Sequence, residues 1–177
     1  MEKIMMIRLM ISLLMVLPLI ACTANQPIKY MVIGSSTVKG NELMVRPLVF
    51  DDSWRKPVGN LGCCWQEAGA LSGAWGKYFP KKVAVQWHDE SQSRLYSTEV
   101  KIDHVRGEKI ARNLPTYTIV SLDEIKKNVK PYLIVGFGEQ GEVTVWISNA
   151  PSEMNISGRI LVALGSGQAT WEHFDPY

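Results

Sequence analysis

Tyr132-Leu-Ile-Val-Gly-Phe137, Gly138-Glu-Gln-Gly141 and Glu142-Val-Thr-Val-Trp-Ile147 follow one another without interruption, and their reading decides the fold class. In the second apolar run Val143, Val145 and Ile147 share one face, while Thr144 and Trp146 share the other, the two-residue period of a strand. A short glycine-containing loop between two such runs is a hairpin signal. The chain therefore builds sheets rather than helices here, with a face of branched aliphatics turned to a core.

Working outward, Ile156 to Leu164 reads as a last strand with Gly158 as a bulge, and Leu164-Gly-Ser-Gly-Gln168 as a turn. Upstream, Ser121-Leu-Asp-Glu124 matches a capping box and predicts a helix of about two turns ended by Pro131, with Ile125 and Val129 facing the core. Lys82-Val-Ala-Val-Gln-Trp87 and Arg94 to Ile102 form an antiparallel pair around the turn His88-Asp-Glu-Ser-Gln-Ser93. Lys29 to Ile33 is a strand closed by Gly34-Ser-Ser36. Leu43 to Phe50 is an edge or interrupted strand, because Pro47 has no N–H for a ladder. Residues 51–79 carry Trp54, Trp65, Trp75 and Tyr78 without a sustained period. They read as an irregular, aromatic-pinned excursion with a short helix over Trp65 to Leu71. The expected fold is mainly β with a minor α component: one domain over residues 28–177, an antiparallel β-sandwich or curved sheet with one short helix.

The N-terminus states an address. Lys3 and Arg8 precede an apolar run from Leu9 to Ile20, which is too short to span a bilayer comfortably and fits a secretory signal peptide over residues 1–21. Leu19-Ile-Ala-Cys22 resembles the lipobox of bacterial lipoproteins, which implies a diacylglycerol on the Cys22 thiol and cleavage before it. Thr23, where Asp would favour inner-membrane retention, implies the outer membrane. Residues 22–27 then form a lipidated tether, and the chain contacts the membrane through N-terminal acyl chains. With 19 Lys and Arg against 17 Asp and Glu, the charge commits the chain to no nucleic acid.

Motifs of catalysis are not found. No Gly-x-Ser-x-Gly elbow surrounds Ser166, and Gly136-Phe-Gly138 is followed by a strand rather than a phosphate-binding helix. His88-Asp-Glu90 lacks the Pro-Cys-x-x-Cys of a zinc deaminase and reads as a solvated turn. His104 falls in a polar connection, and His173 in an aromatic tail that docks on the domain. Asp51-Asp52 suits a turn, and Asp123-Glu124 a helix first turn. The expectation is a binding protein without cofactor or metal rather than an enzyme, its oligomeric state left open.

Cys63 and Cys64 sit side by side before Trp65. No neighbouring histidine activates a thiol, and two cysteines do not complete a structural zinc site. An oxidising compartment favours disulfides, yet adjacent Cα atoms about 3.8 Å apart fall below the usual disulfide range of about 4.4–6.8 Å. A vicinal bridge and a buried pair of free thiols both stay open; either is a structural pin for the excursion.

The lipobox, Trp54-Arg-Lys-Pro57, Gly62-Cys-Cys-Trp65, Phe79 to Trp87, Arg94-Leu-Tyr96 and the hairpin Leu133 to Trp146 together resemble the domain-of-unknown-function 2931 family of proteobacterial lipoproteins, over roughly residues 28–165. The loop Gly138-Glu-Gln-Gly141 departs from the Pro-Gly or Gly-Gly expected there. Such lipoproteins are often encoded beside type VI secretion effectors, and some are immunity proteins that block a toxic phospholipase. The resemblance implies an outer-membrane-anchored immunity protein facing the periplasm, with a secreted lipase-type effector as partner. The alternative is an envelope structural or assembly lipoprotein without a toxin partner. The residues that would bind a partner are not legible: aromatics of the excursion suit interface anchors, but core packing is the first reading for each tryptophan.

Overall fold

The structure, a computed structural model, describes residues 26–38, 40 and 42–174; Cys22 and the expected signal peptide, residues 1–21, lie outside them. In chain order the strands are β1 (Ile28–Thr37), β2 (Leu43–Val45), β3 (Leu48–Phe50), β4 (Trp54–Lys56), β5 (Gly59–Leu61), β6 (Ala70–Lys77), β7 (Lys82–Asp89) and β8 (Arg94–Lys101). A helix, α1 (His104–Arg112), precedes β9 (Tyr117–Ile119), β10 (Glu124–Lys126), β11 (Tyr132–Phe137), β12 (Glu142–Ser148), β13 (Ile156–Ser157), β14 (Leu161–Gln168) and β15 (Thr170–His173).

Two sheets pack face to face. The first has the order β14-β12-β11-β1-β6. The second runs β15-β8-β7-β2-β5, with β3 and β4 continuing from β7. Alternation decides what meets between them. Met31 and Ile33 of β1, Leu133, Val135 and Phe137 of β11, and Val143, Val145 and Ile147 of β12 face Leu43, Val45, Leu48, Phe50, Val83, Val85 and Trp87 in one buried cluster. The expected mainly-β class is correct, in its sandwich form. The antiparallel pattern has one exception: β1 lies parallel to β11, from Val32 opposite Tyr132 to Thr37 opposite Phe137. A parallel pair needs a long crossover, and here it contains β6, α1 and every strand of the second sheet except β15. A small third sheet, β10-β9-β13, hangs from the connections around α1 and after β12.

The deciding hairpin forms as expected, and its register sets Phe137 opposite Val143. The Gly138 N–H donates to the Glu142 carbonyl (2.8 Å), and Gly141 supplies the positive φ, +90°, that a three-residue loop needs at its last position. Pro47 interrupts rather than ends a strand. β2 and β3 both pair with β7 on either side of it, and Arg46 N–H bridges the gap to the Gln86 carbonyl (2.9 Å).

The helix lies elsewhere than expected. Over 120–122 the chain makes a single 3₁₀ turn, closed by Asp123 at φ 48°, and Glu124 enters β10 instead of a helix first turn. Tertiary contacts override the capping box. The Ser121 N–H is taken by Asn155 Oδ1 (2.7 Å), and the Ser121 hydroxyl by the Asn155 amide. Ile125, expected in the core, is exposed. The helix forms instead from His104, in the segment read as a polar connection. Asp103 caps it by accepting the Arg106 N–H (3.1 Å), and Lys109 and Arg112 occupy its last turn. Gly107, which weakens the helical pattern, is needed because a Cβ there would meet the Phe79 ring at 2.3 Å.

Other expectations shift with it. β1 does not close at Gly34 but runs through Ser35 and Ser36 to Thr37. No helix spans 65–71: Gln66 has φ 65°, and Ala70 opens β6 against β1. Gly165-Ser-Gly167 is no turn but strand, with Ser166 opposite Thr144. The tail docks as β15 on the β8 edge, where the Arg94 guanidinium lies 4.0 Å from the Trp171 ring.

Candidate functional site

The first sheet is covered on both faces. Its inner face meets the second sheet. Its outer face carries a smaller buried cluster of Ala68, Ile134 and Trp146, with Trp65, Tyr132 and Leu161 against it. The cover is the cysteine-bearing loop, and its anchor is the small polar end of β1. Thr37 N–H donates to the Cys63 carbonyl (3.4 Å), Cys64 N–H returns to the Thr37 carbonyl (3.0 Å), and Gly69 N–H reaches the Ser35 carbonyl (2.9 Å). The Ser36 hydroxyl donates to the Cys64 carbonyl (2.8 Å). Ser35, Ser36 and Thr37 are buried for this reason.

Close approach needs glycine beneath the loop. A Cβ on Gly34 would lie 2.6 Å from the Ala68 Cβ. One on Gly136 would lie 2.3 Å from the Trp146 ring and 3.1 Å from Trp65. Trp65 and Trp146 meet edge to face, with centroids 5.0 Å apart. Gly136→Ala should therefore drive the two indoles apart and cost about 1–3 kcal/mol. Urea unfolding followed together with near-ultraviolet circular dichroism checks it; an unchanged aromatic spectrum would mean the loop does not rest on that glycine.

A charged side chain completes the pin. The Arg159 guanidinium donates from Nη2 to the Gln66 carbonyl and from Nε to Ser148 Oγ (3.3 Å). It is 5% exposed; its Nη1 lies 3.3 Å from Glu153 Oε1 without hydrogen-bonding geometry. Burial lowers its pKa, with Glu153 and Glu67 opposing that shift.

Of the two readings left open for the cysteines, the structure has the bridge: Cys63 and Cys64 are joined as a disulfide, Cys63 exposed and Cys64 half-buried. Beside it a shallow groove of about 480 Å³ is lined by Glu42, Met44, Asn60, Gly62, Glu90 and Ser91 among others. Met44 is 41% exposed. This end of the sandwich lies at the end of β1, about 30 Å along a ten-residue strand from Ile28. The groove offers carboxylates, a thioether and backbone beside a rigid loop.

The remaining candidates are dispersed. His88 lies on β7, 4.0 Å from the Phe174 ring and 3.4 Å from Arg46 Nη2. Desolvation, then the Arg46 charge, lowers its pKa. Asp89, expected in a solvated turn, is buried and accepts from Ser91 Oγ (2.6 Å) and Gln92 N–H (3.2 Å). Asp51 and Asp52 form the expected turn: Asp51 accepts the Lys81 and Lys82 N–H groups, and Asp52 pairs with Lys82 at 2.7 Å. Hydrogen bonds donated to Asp52 and Glu99 hold the Lys82 ammonium above its ordinary pKa. His104 begins α1 beside a second groove, and His173 is exposed on β15. Among the described residues no group of three or more His, Cys, Asp or Glu is placed to hold a metal ion, and no helix is long and apolar enough to cross a membrane. Of the excursion aromatics, Trp54 stacks on Phe50 at 4.2 Å, Trp65 packs as above, and Trp75 is 67% exposed.

Sequence reasoning missed the partner of the cysteine loop. Its signal was present in Gly34-Ser-Ser-Thr37, a run of small residues that reads as a strand end until a covering segment is supplied. No family model, curated protein or solved structure matches the chain.

Proposed function

We propose that this chain is a lipid-anchored envelope protein that binds another protein with the end of the sandwich bearing Cys63 and Cys64. In its sharper form it is an immunity protein that blocks a secreted lipase-type effector. The observation that supports this reading is the disulfide-pinned loop beside an open groove, at the end remote from the start of β1. A lipobox cysteine four positions before Gln26 puts the start of β1 at the membrane and turns this end to the periplasm. Loops held on a rigid sheet present a surface with little ordering cost on binding.

The test is rescue. A lipase-type effector encoded beside this gene is directed to the periplasm of a Gram-negative host, with and without the full chain. Cells should survive with the wild-type chain, while Met44→Glu, which adds a charge to the lining of the groove, should lower survival at least tenfold. Lysis in the presence of the wild-type chain defeats the immunity reading. Undiminished protection by Met44→Glu moves the binding surface elsewhere.

A further inference from the structure

The exposed apolar side chains are not spread evenly over the sandwich. Tyr78 and Val105 (55% and 68% exposed) lie where β1 begins: Lys77 is opposite Ile28, and α1 follows the end of β8 beside Lys82. Val120, Leu122, Ile125 and Met154 are 58–78% exposed on the third sheet and its connections. That unit is tied to the sandwich by Asn149, whose amide donates to the carbonyls of Pro115 and Gly158, and by the Pro151 carbonyl, which accepts the Ala68 N–H of the cysteine loop (2.8 Å). Among the described residues, Met44, Leu71 and Trp171 are also exposed but lie away from the end where β1 begins.

The same end holds a second groove, about 930 Å³, lined by Tyr78, Phe79, Lys81, His104, Val105 and Lys109 among others. Its lining carries Lys81, Lys82, Lys109 and Arg112 against Asp51 and Glu108, and Asp52 and Glu99 beside it bring the formal sum to zero. Lys82 is paired with Asp52 and Glu99, Arg112 with Glu108, and Asp51 is occupied by backbone N–H groups. Lys81 and Lys109 make no ion pair with any described residue and remain exposed. Arg112 also donates to the Gln26 carbonyl, which fixes the start of the domain against this groove.

We infer that this end is a bilayer-contacting face: it lies on the surface of the membrane that carries the anchor, with Tyr78 and Val105 in the headgroup region and Lys81 and Lys109 against anionic phospholipid. The inference rests on the lipid-anchor reading of Cys22. Four residue steps separate Cys22 from Gln26, a reach of at most about 14 Å, and the interfacial layer of each leaflet takes up about 5–7 Å of that. A domain held so short must rest its near end on the lipid. Amphipathic aromatics and lysines with apolar stems are the side chains that such an interface favours.

The test uses the full chain, purified from a Gram-negative host and reconstituted in vesicles of phosphatidylcholine with about one third phosphatidylglycerol, part of the lipid bearing a nitroxide near the headgroup. Intact mass reports acylation of Cys22 independently. Tyr78→Trp places a reporter on the proposed face and Met44→Trp one at the opposite end. The emission added by Tyr78→Trp should be quenched at least twofold more than that added by Met44→Trp. Lys81→Glu with Lys109→Glu should reduce this difference, as should vesicles without phosphatidylglycerol. Equal quenching of the two reporters on an acylated chain overturns the face and leaves the anchor standing. A chain without acyl groups at Cys22 overturns both.

Discussion

Trp87→Ala should remove about 3–5 kcal/mol of folding stability, enough to leave a domain of ordinary stability, about 5–15 kcal/mol, close to unfolding. Trp87 is 1% exposed and sits in the core between the two sheets. Its ring stacks on Tyr96 of the neighbouring β8 strand, with centroids 5.0 Å apart and planes within 7°. It also meets Phe137 of the opposite sheet edge to face at 5.0 Å. Alanine would open a cavity that neither sheet can fill without breaking its own ladder, and it would forfeit both aromatic contacts. Urea denaturation followed by far-ultraviolet circular dichroism measures the loss. A cost below about 1.5 kcal/mol would show that the sheets do not lean on this ring. Trp87→Phe, which keeps an aromatic in the gap, should cost clearly less.

The reach of sequence reasoning is set by whether a segment's own pattern or a distant partner decides its conformation. In β7 and β12 the alternation of Val83, Val85 and Trp87, or of Val143, Val145 and Ile147, states both the strand and its buried face, because one side of each strand is committed to the core. Ser121-Leu-Asp-Glu124 shows the opposite case. Its local helix signal is sound, but Asn155 occupies the serine that would cap it. The true helix was hidden by Gly107, whose placement answers to the Phe79 ring and not to helix propensity. The candidate site divides in the same way. That Cys63 and Cys64 act as a pin follows from elimination among the side chains available. What they pin, the outer face of the first sheet, depends on Gly34 and Gly136 lying under Ala68 and Trp65, and on Arg159 reaching the Gln66 carbonyl from 93 residues away. No local pattern encodes such a meeting.

Gly165 carries this dependence to its limit, and Gly165→Ala should be among the most damaging single-methyl additions in the molecule. A Cβ there would stand 2.0 Å from the Lys101 carbonyl oxygen and 3.2 Å from its carbon, so the obstacle is backbone and not the end of a flexible side chain. That backbone is itself fixed. Ile102 N–H donates to the Lys81 carbonyl, and Asp103 N–H to the Leu164 carbonyl, both at 2.8 Å. Leu164 is the extra residue of a bulge in β14, where the β12 pairing skips between Val145 and Trp146. The bulge turns the Leu164 carbonyl toward the residue that caps α1. After it, the chain crosses from the first sheet to β15 of the second, held by Ala169 N–H on the Gly141 carbonyl (2.8 Å) and by the Thr98 hydroxyl on the Gln168 carbonyl (3.2 Å). A methyl at Gly165 must therefore spread the closed corner of the sandwich or undo the bulge. The expected cost is about 3 kcal/mol, which for a domain of this size lowers the melting temperature by about 6–12 °C. Gly62→Ala is the matched control: it lies beside the disulfide, its added methyl meets nothing within 4 Å, and its φ is not positive. It should change stability by less than about 0.5 kcal/mol. Equal melting temperatures for the two variants would mean that the corner yields freely, and that the sandwich is closed by its core alone.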